Sequence, residues 1–167
     1  MTDQADWGYN SISNGGNAEN LWRTPTKEEW DYVFNTRTTT SGIRYAKAIV
    51  NNVNGVILLP DDWNTAYYSL RNTNSTGTNF SSNTITASQW RKLERHGAVF
   101  LSMAGYRDGT SFTSVGSSGR YYSASKYDSK NAWVIYLGSS FIRTDWVNYR
   151  YYGLSVRLVQ DIQDITE

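Results

Sequence analysis

Cysteine is missing altogether from the 167 residues, which excludes structural disulfides, thiolate zinc sites and cysteine nucleophiles. The compartment stays open, because exported proteins can also do without disulfides. Histidine occurs once, at His96, so no two-histidine metal site can be assembled. Lys and Arg number 16 against 15 for Asp and Glu, a formal charge of +1. With no cationic excess to condense on phosphates, generic nucleic-acid binding is not expected. No apolar run approaches the roughly 20 residues of a membrane-spanning helix, so no direct membrane insertion is expected. The start Met1-Thr2-Asp3-Gln4 does not read as a secretion signal. Nothing in the composition calls for a cofactor.

Aromatic residues are what the chain has in excess. They make up 15% of it, with Tyr 13 and Trp 7, beside only 19% charged residues. Aromatics must therefore fill much of the core, and such a composition argues for a folded chain, since disorder favours charge over rings. The length suits a single domain spanning 1–167.

Two helices are predicted by their caps. Thr26-Lys27-Glu28-Glu29 has capping-box spacing, with Trp30, Val33 and Phe34 following on one face and Pro25 just outside. Thr86-Ala87-Ser88-Gln89 repeats the arrangement, with Trp90 and Leu93 on one face and Gly97 as the left-handed stop. His96, at that helix end, reads as a C-terminal capping side chain. Strands are expected over 43–50, 54–59, 98–103, 133–137, 141–144 and 154–160. The polar stretches 72–83 and 105–119 are expected to be long loops.

The segment from Trp133 to Asp145 carries the most information. If Ser139-Ser140 is a two-residue turn, Gly138 faces Phe141, Tyr136 faces Arg143 and Val134 faces Asp145. Those six share one face of the hairpin, and Ile135, Leu137, Ile142 and Thr144 share the other. The aliphatic face is the natural core face, because a one-residue slip would bury the Arg and the Asp. The mixed face then points outward, and the alternation continues through Val147 and Tyr149 to Tyr152. Tyrosine among small polar residues is the composition of antibody-like paratopes, where rigid amphipathic rings give contact area at low entropic cost. The other reading of any one ring is that it packs beneath its own loop.

Several motifs, in order, carry a family resemblance. Arg23-Thr24-Pro25-Thr26-Lys27-Glu28-Glu29-Trp30 resembles the Arg-x-Pro-Thr-x-x-Glu-Trp signature of the formylglycine-generating-enzyme branch of the C-type lectin fold. Gly55-Val56-Ile57-Leu58-Leu59-Pro60-Asp61-Asp62-Trp63, Gly97-Ala98-Val99-Phe100-Leu101 and Ala104-Gly105-Tyr106-Arg107 continue the match. Tyr121-Tyr122-Ser123-Ala124-Ser125 and Gly153-Leu154-Ser155-Val156-Arg157-Leu158-Val159 complete it. Together they resemble the variable proteins of diversity-generating retroelements, found in phages and bacteria, including those of the gut.

That resemblance implies an α+β chain of C-type lectin fold, two helices flanking small antiparallel sheets with long loops. It also implies a region, about 134–152, in which Asn codons are diversified to almost anything except Lys, Glu, Gln, Met and Trp. The varied, ligand-contacting positions would be Val134, Tyr136, Gly138, Phe141, Arg143, Asp145, Val147, Tyr149 and Tyr152, with Asn148 as a further candidate. From Ala132 to Val159 the chain holds no Lys, Glu, Gln or Met. Trp133 and Trp146 cannot be products of such mutagenesis. The implied partner is a protein or glycan on a host or neighbouring cell surface, met on a phage virion or a bacterial surface. Trp22, Trp30, Trp63, Trp90 and Trp133 would supply an invariant frame.

Three alternatives remain at this point. An enzyme of the formylglycine-generating type would need cysteine chemistry that the chain lacks, so no enzyme is expected. A calcium-dependent sugar-binding lectin could use Asp61-Asp62-Trp63-Asn64 as oxygen ligands, but the lectin sugar motif is absent. A non-variable bacterial surface domain of the same fold would share every motif.

Overall fold

The computed structural model describes residues 21–160. It is a mixed α+β chain with two short α-helices and three small sheets. Helix α1, Lys27–Asp31, starts on the expected capping box: the Thr26 hydroxyl accepts from Glu29 N–H at 3.2 Å, and the Glu29 carboxylate accepts from Thr26 N–H at 2.8 Å. Arg23 holds the same carboxylate through two hydrogen bonds of 2.7 and 2.5 Å. That guanidinium, more than anything else, keeps the Glu29 carboxyl below its usual range. The helix continues as a π-helical turn, Tyr32–Thr36, which carries Phe34 into the core. Helix α2, Ala87–Arg95, opens on the second capping box. It closes on His96, whose Nδ1 lies 2.9 Å from Lys92 O and whose ring packs 3.8 Å from that of Tyr67.

Strands β1 (Tyr45–Val50) and β2 (Val53–Leu58) form a hairpin through Asn51 and Asn52, both with positive φ. Asparagine tolerates that conformation, and two such residues match the twist of the strands they join. β3 (Thr84–Ile85) runs parallel to β1, and β4 (Val99–Ser102) runs antiparallel to β2, giving the order β3-β1-β2-β4. Gly55 lets β4 come close, because a Cβ there would fall 2.3 Å from the Phe100 ring.

This sheet divides two cores. Ala46, Ala48, Val50 and Ile57 pack with Leu59, Trp63, Ile85 and Leu93 on the α2 side. Tyr45, Val56 and Leu101 pack with Trp30, Phe34, Phe80, Tyr121, Ile135 and Leu137 on the other. Trp30 and Trp63 are buried as expected of frame residues, whereas Trp22, Trp90 and Trp133 are half-buried. On α2 the residue that closes the core is Leu93, and Trp90 leans on Phe100 at its margin.

The expected loop 105–119 contains a short hairpin, β5 (Tyr106–Asp108) with β6 (Ser111–Thr113). β7, Ser118–Lys126, was not among the strands expected. It pairs antiparallel with β8 (Asn131–Gly138), which pairs with β9 (Ile142–Tyr149) in the third sheet. Its alternation is hidden in the sequence by Ser118, Ser123, Ala124 and Ser125, four of its nine residues. The strand expected over 154–160 is replaced by two isolated bridges, Tyr121 with Ser155 and Arg23 with Val159. The second brings the two ends of the described chain together through reciprocal hydrogen bonds of 3.0 and 2.9 Å. Among the described residues no helix is long and apolar enough to cross a membrane.

Candidate functional site: the outer face of the third sheet

The third sheet turns one face to α1 and the core. Ile135 and Leu137 of β8 are fully buried, and Thr144 of β9 donates to Asp31 Oδ1 of α1 at 2.8 Å. Asn35 donates to the same carboxylate oxygen at 2.7 Å; these two bonds, Asn35's foremost, hold the Asp31 carboxyl below its usual range. The aliphatic side of the hairpin is thus the inner one, as alternation requires. The turn is also as expected: Gly138 N–H donates to Phe141 O at 3.0 Å across Ser139-Ser140, and Tyr136 stands opposite Arg143.

Beyond that pair the register departs from the expectation. Val134 faces Trp146, not Asp145, because a bulge sets Thr144 and Asp145 together against Ile135. After the bulge, ladder parity puts Trp146 and Asn148 on the face of Tyr136, while Val147 and Tyr149 fall on the parity of Trp133. Two of the expected outward residues are in fact buried. Val134, on the central strand, stands between the larger Tyr122 and Trp146 and has no exposed surface. Gly138 is covered by the ring of Phe141, which would lie 2.5 Å from a Cβ at that position. Val147 is half-buried, and Asn148, at 9% exposure, is buried.

What the outer face does present is a chain of touching rings. Tyr136 meets Phe141 edge-on at 4.6 Å and Trp146 at 5.5 Å. Tyr106 of β5 meets Tyr152 at 5.1 Å, and Tyr152 meets Tyr149 and Tyr151 at 5.6 and 5.0 Å. Tyr149 stacks on Tyr151, so it joins the cluster despite its parity. Arg120 of β7 links the two halves, its guanidinium 3.8 Å from the Tyr106 ring and 4.6 Å from that of Tyr136. Trp146, Tyr149 and Tyr151 are exposed, as are Arg143 and Asp145. Tyr122 fixes the loop behind them by donating its hydroxyl to Tyr152 O, and burial pushes its own phenol pKa up.

Four members of this face were outside the expected set. Trp146 and Tyr151 lay in the right segment but off the alternation. Tyr106 sat in a quoted motif with no role attached, and Arg120 gave no local signal at all.

The underside of the hairpin tip is held from β1. Lys47 is fully buried and donates its ammonium to Gly138 O and Ser139 O, both at 2.8 Å, and to Thr76 O at 2.5 Å. Burial pulls its pKa down to about 8. Three carbonyls around one ammonium tie the tip to the first sheet.

Two of the residues considered for calcium are otherwise engaged. Asp61 accepts from Arg37 at 2.9 Å, and Asn64 accepts from Ala66 N–H in a turn. Among the described residues no group of three or more His, Asp or Glu is placed to hold a metal ion. A groove of about 690 Å³ beside α1, lined by Trp30, Val33, Leu58, Val99 and Leu158 among others, shares no residue with the aromatic face. No family model matches the chain, and neither does any curated protein or solved structure.

Proposed function

We propose that this chain is a ligand-binding display protein on a C-type lectin fold, of the kind diversified by a retroelement, and that the outer face of β7-β8-β9 is its binding surface. One observation carries the reading: the hairpin divides its side chains between an aliphatic face locked to α1 and an aromatic face open to solvent. Exposed tyrosine, tryptophan and arginine in contact are the composition of interface hot spots. A monomer gains little stability by leaving them there. Tyr136, Phe141, Arg143, Asp145, Tyr149 and Tyr152 would touch the ligand directly. Val134, Gly138 and Val147 would act from beneath, by setting how the rings above them sit. The partner is a macromolecule on a host or neighbouring cell surface, and the protein acts from a virion or a bacterial envelope.

The test of diversification is genetic. A reverse-transcriptase gene near the coding sequence, with an Asn-rich near-repeat of the segment encoding 134–152 that differs only at template adenines, is the expected finding. A neighbourhood without that repeat assigns the chain to the non-variable relatives of the fold. Binding is tested separately by comparing wild type with Arg143→Ser and Tyr149→Ser on host-surface extracts. Equal retention by all three would remove the face from consideration.

A further inference from the structure

Arg120 places an uncompensated positive charge at the centre of the aromatic face. Its position follows from pairing: Arg120 of β7 stands opposite Tyr136 of β8, which stands opposite Arg143 of β9, whose own guanidinium lies 5.7 Å from the Trp146 ring. Arg120 Nη1 donates to Asn148 Oδ1 at 3.3 Å, and Nε is enclosed without a partner. Nη2 makes no hydrogen bond and is not among the fully enclosed atoms. No carboxylate of the described residues pairs with Arg120 or Arg143; the ion pairs among them are Arg23–Glu29 and Arg37–Asp61. Tyr106 and Tyr136 sandwich the guanidinium and fix its plane. Rings soften the cost of a half-buried cation, but they supply no anion. A guanidinium held in a fixed plane, with Nη2 left without a partner, can donate a charge-assisted hydrogen bond to a carboxylate.

Building on the display reading above, we infer that the partner is a protein that seats an Asp or Glu carboxylate on Arg120 between Tyr106 and Tyr136. The extent of the face favours a protein over an acidic sugar. Phe141, Tyr136, Arg120, Tyr106, Tyr152 and Tyr149 touch in one continuous chain across the sheet, a longer surface than one sugar ring covers. Arg120 and Tyr106 also lie outside 134–152. Diversification would therefore leave Arg120 and Tyr106 in place while changing the Tyr136 side of the seat and what surrounds the carboxylate.

The experiment pans a phage-displayed random 12-residue peptide library on the immobilised full chain and on Arg120→Gln. The expected result is a pool richer in Asp and Glu on wild type than on Arg120→Gln. For a single recovered peptide, changing its acidic residue to the amide should weaken binding to wild type about tenfold and binding to Arg120→Gln hardly at all. The peptide-side change leaves the protein untouched, so an altered fold in the variant cannot mimic it. Equal acidic content in the two pools, or an equal amide effect on the two proteins, overturns the inference. Peptides that Tyr149→Ser loses and Arg120→Gln retains would leave the display reading standing and remove the carboxylate seat. Peptides retained by both variants would remove the display reading itself. Displacement by glucuronate, at concentrations where N-acetylglutamate has no effect, would reassign the seat to an acidic sugar and overturn the protein partner.

Discussion

Replacing Lys47 with Met tests how the aromatic face is held from below. Lys47 sits on the β1 face that looks toward the third sheet, fully buried, with its ammonium on the carbonyls of Thr76, Gly138 and Ser139 and 5.6 Å from the Phe80 ring centre. Methionine matches its length but donates nothing, so three carbonyls lose their donor, two of them in the hairpin turn. At pH 7 the variant should be less stable by about 2–4 kcal/mol, the range for a buried charged group stripped of its hydrogen bonds. The pH dependence is more telling. Burial lowers the lysine pKa from 10.5 to about 8, so between those values the unfolded chain binds the proton and the native chain does not. Stability from this group therefore rises with pH, by at most about 2 kcal/mol between pH 7 and 9.5. The buried phenols of Tyr45, Tyr121 and Tyr122, whose pKa values burial raises, act in the opposite sense above pH 10. They are common to both proteins and cancel in the difference. Urea denaturation of wild type and Lys47→Met at four pH values between 7 and 9.5 measures that difference. Parallel stability curves would refute the reasoning, since they would mean that the three carbonyls restore to the ammonium everything burial takes from it.

Other outcomes follow from the same packing. Arg143→Ser and Tyr149→Ser, at exposed positions, should each change stability by less than about 0.5 kcal/mol in thermal melts, while Tyr136→Ser should cost about 1–2 kcal/mol because its ring is half-buried among Phe141, Trp146 and Arg120. Trp30→Ala, at 2% exposure, should cost about 3–5 kcal/mol. Trp90→Ala should cost clearly less than Leu93→Ala, and the reverse order would put the wrong face of α2 in the core. The Asp31 carboxyl is held below its usual range by Asn35 and Thr144, so its contribution is present above the unfolded carboxylate pKa and lost as pH falls through the native one. Asp31→Asn should accordingly flatten the acid limb of the stability profile, and an unchanged limb would mean these bonds do not distinguish the folded state.

Both helix starts could be read from the chain alone, because a capping box needs only residues three apart and no partner from elsewhere. The inner face of the hairpin was equally legible: Ile135, Leu137, Ile142 and Thr144 alternate with polar and aromatic neighbours, and two serines leave room for one tight turn only. That local rule held as far as Tyr136 and Arg143. It failed at Thr144 and Asp145, where β9 keeps the Thr144 hydroxyl on Asp31 of α1 and admits an extra residue into the ladder. No pattern of alternation can announce a bulge whose stabilising contact lies 113 residues away. The same holds for Arg120, Tyr106 and Lys47. Nothing near them in the chain marks their role, and each reaches the face, or the turn beneath it, through strand pairing and packing between distant segments. Local chemistry determined which side chains could lie inward and where the helices begin. Long-range pairing decided which rings meet on the outside, and which charge they enclose.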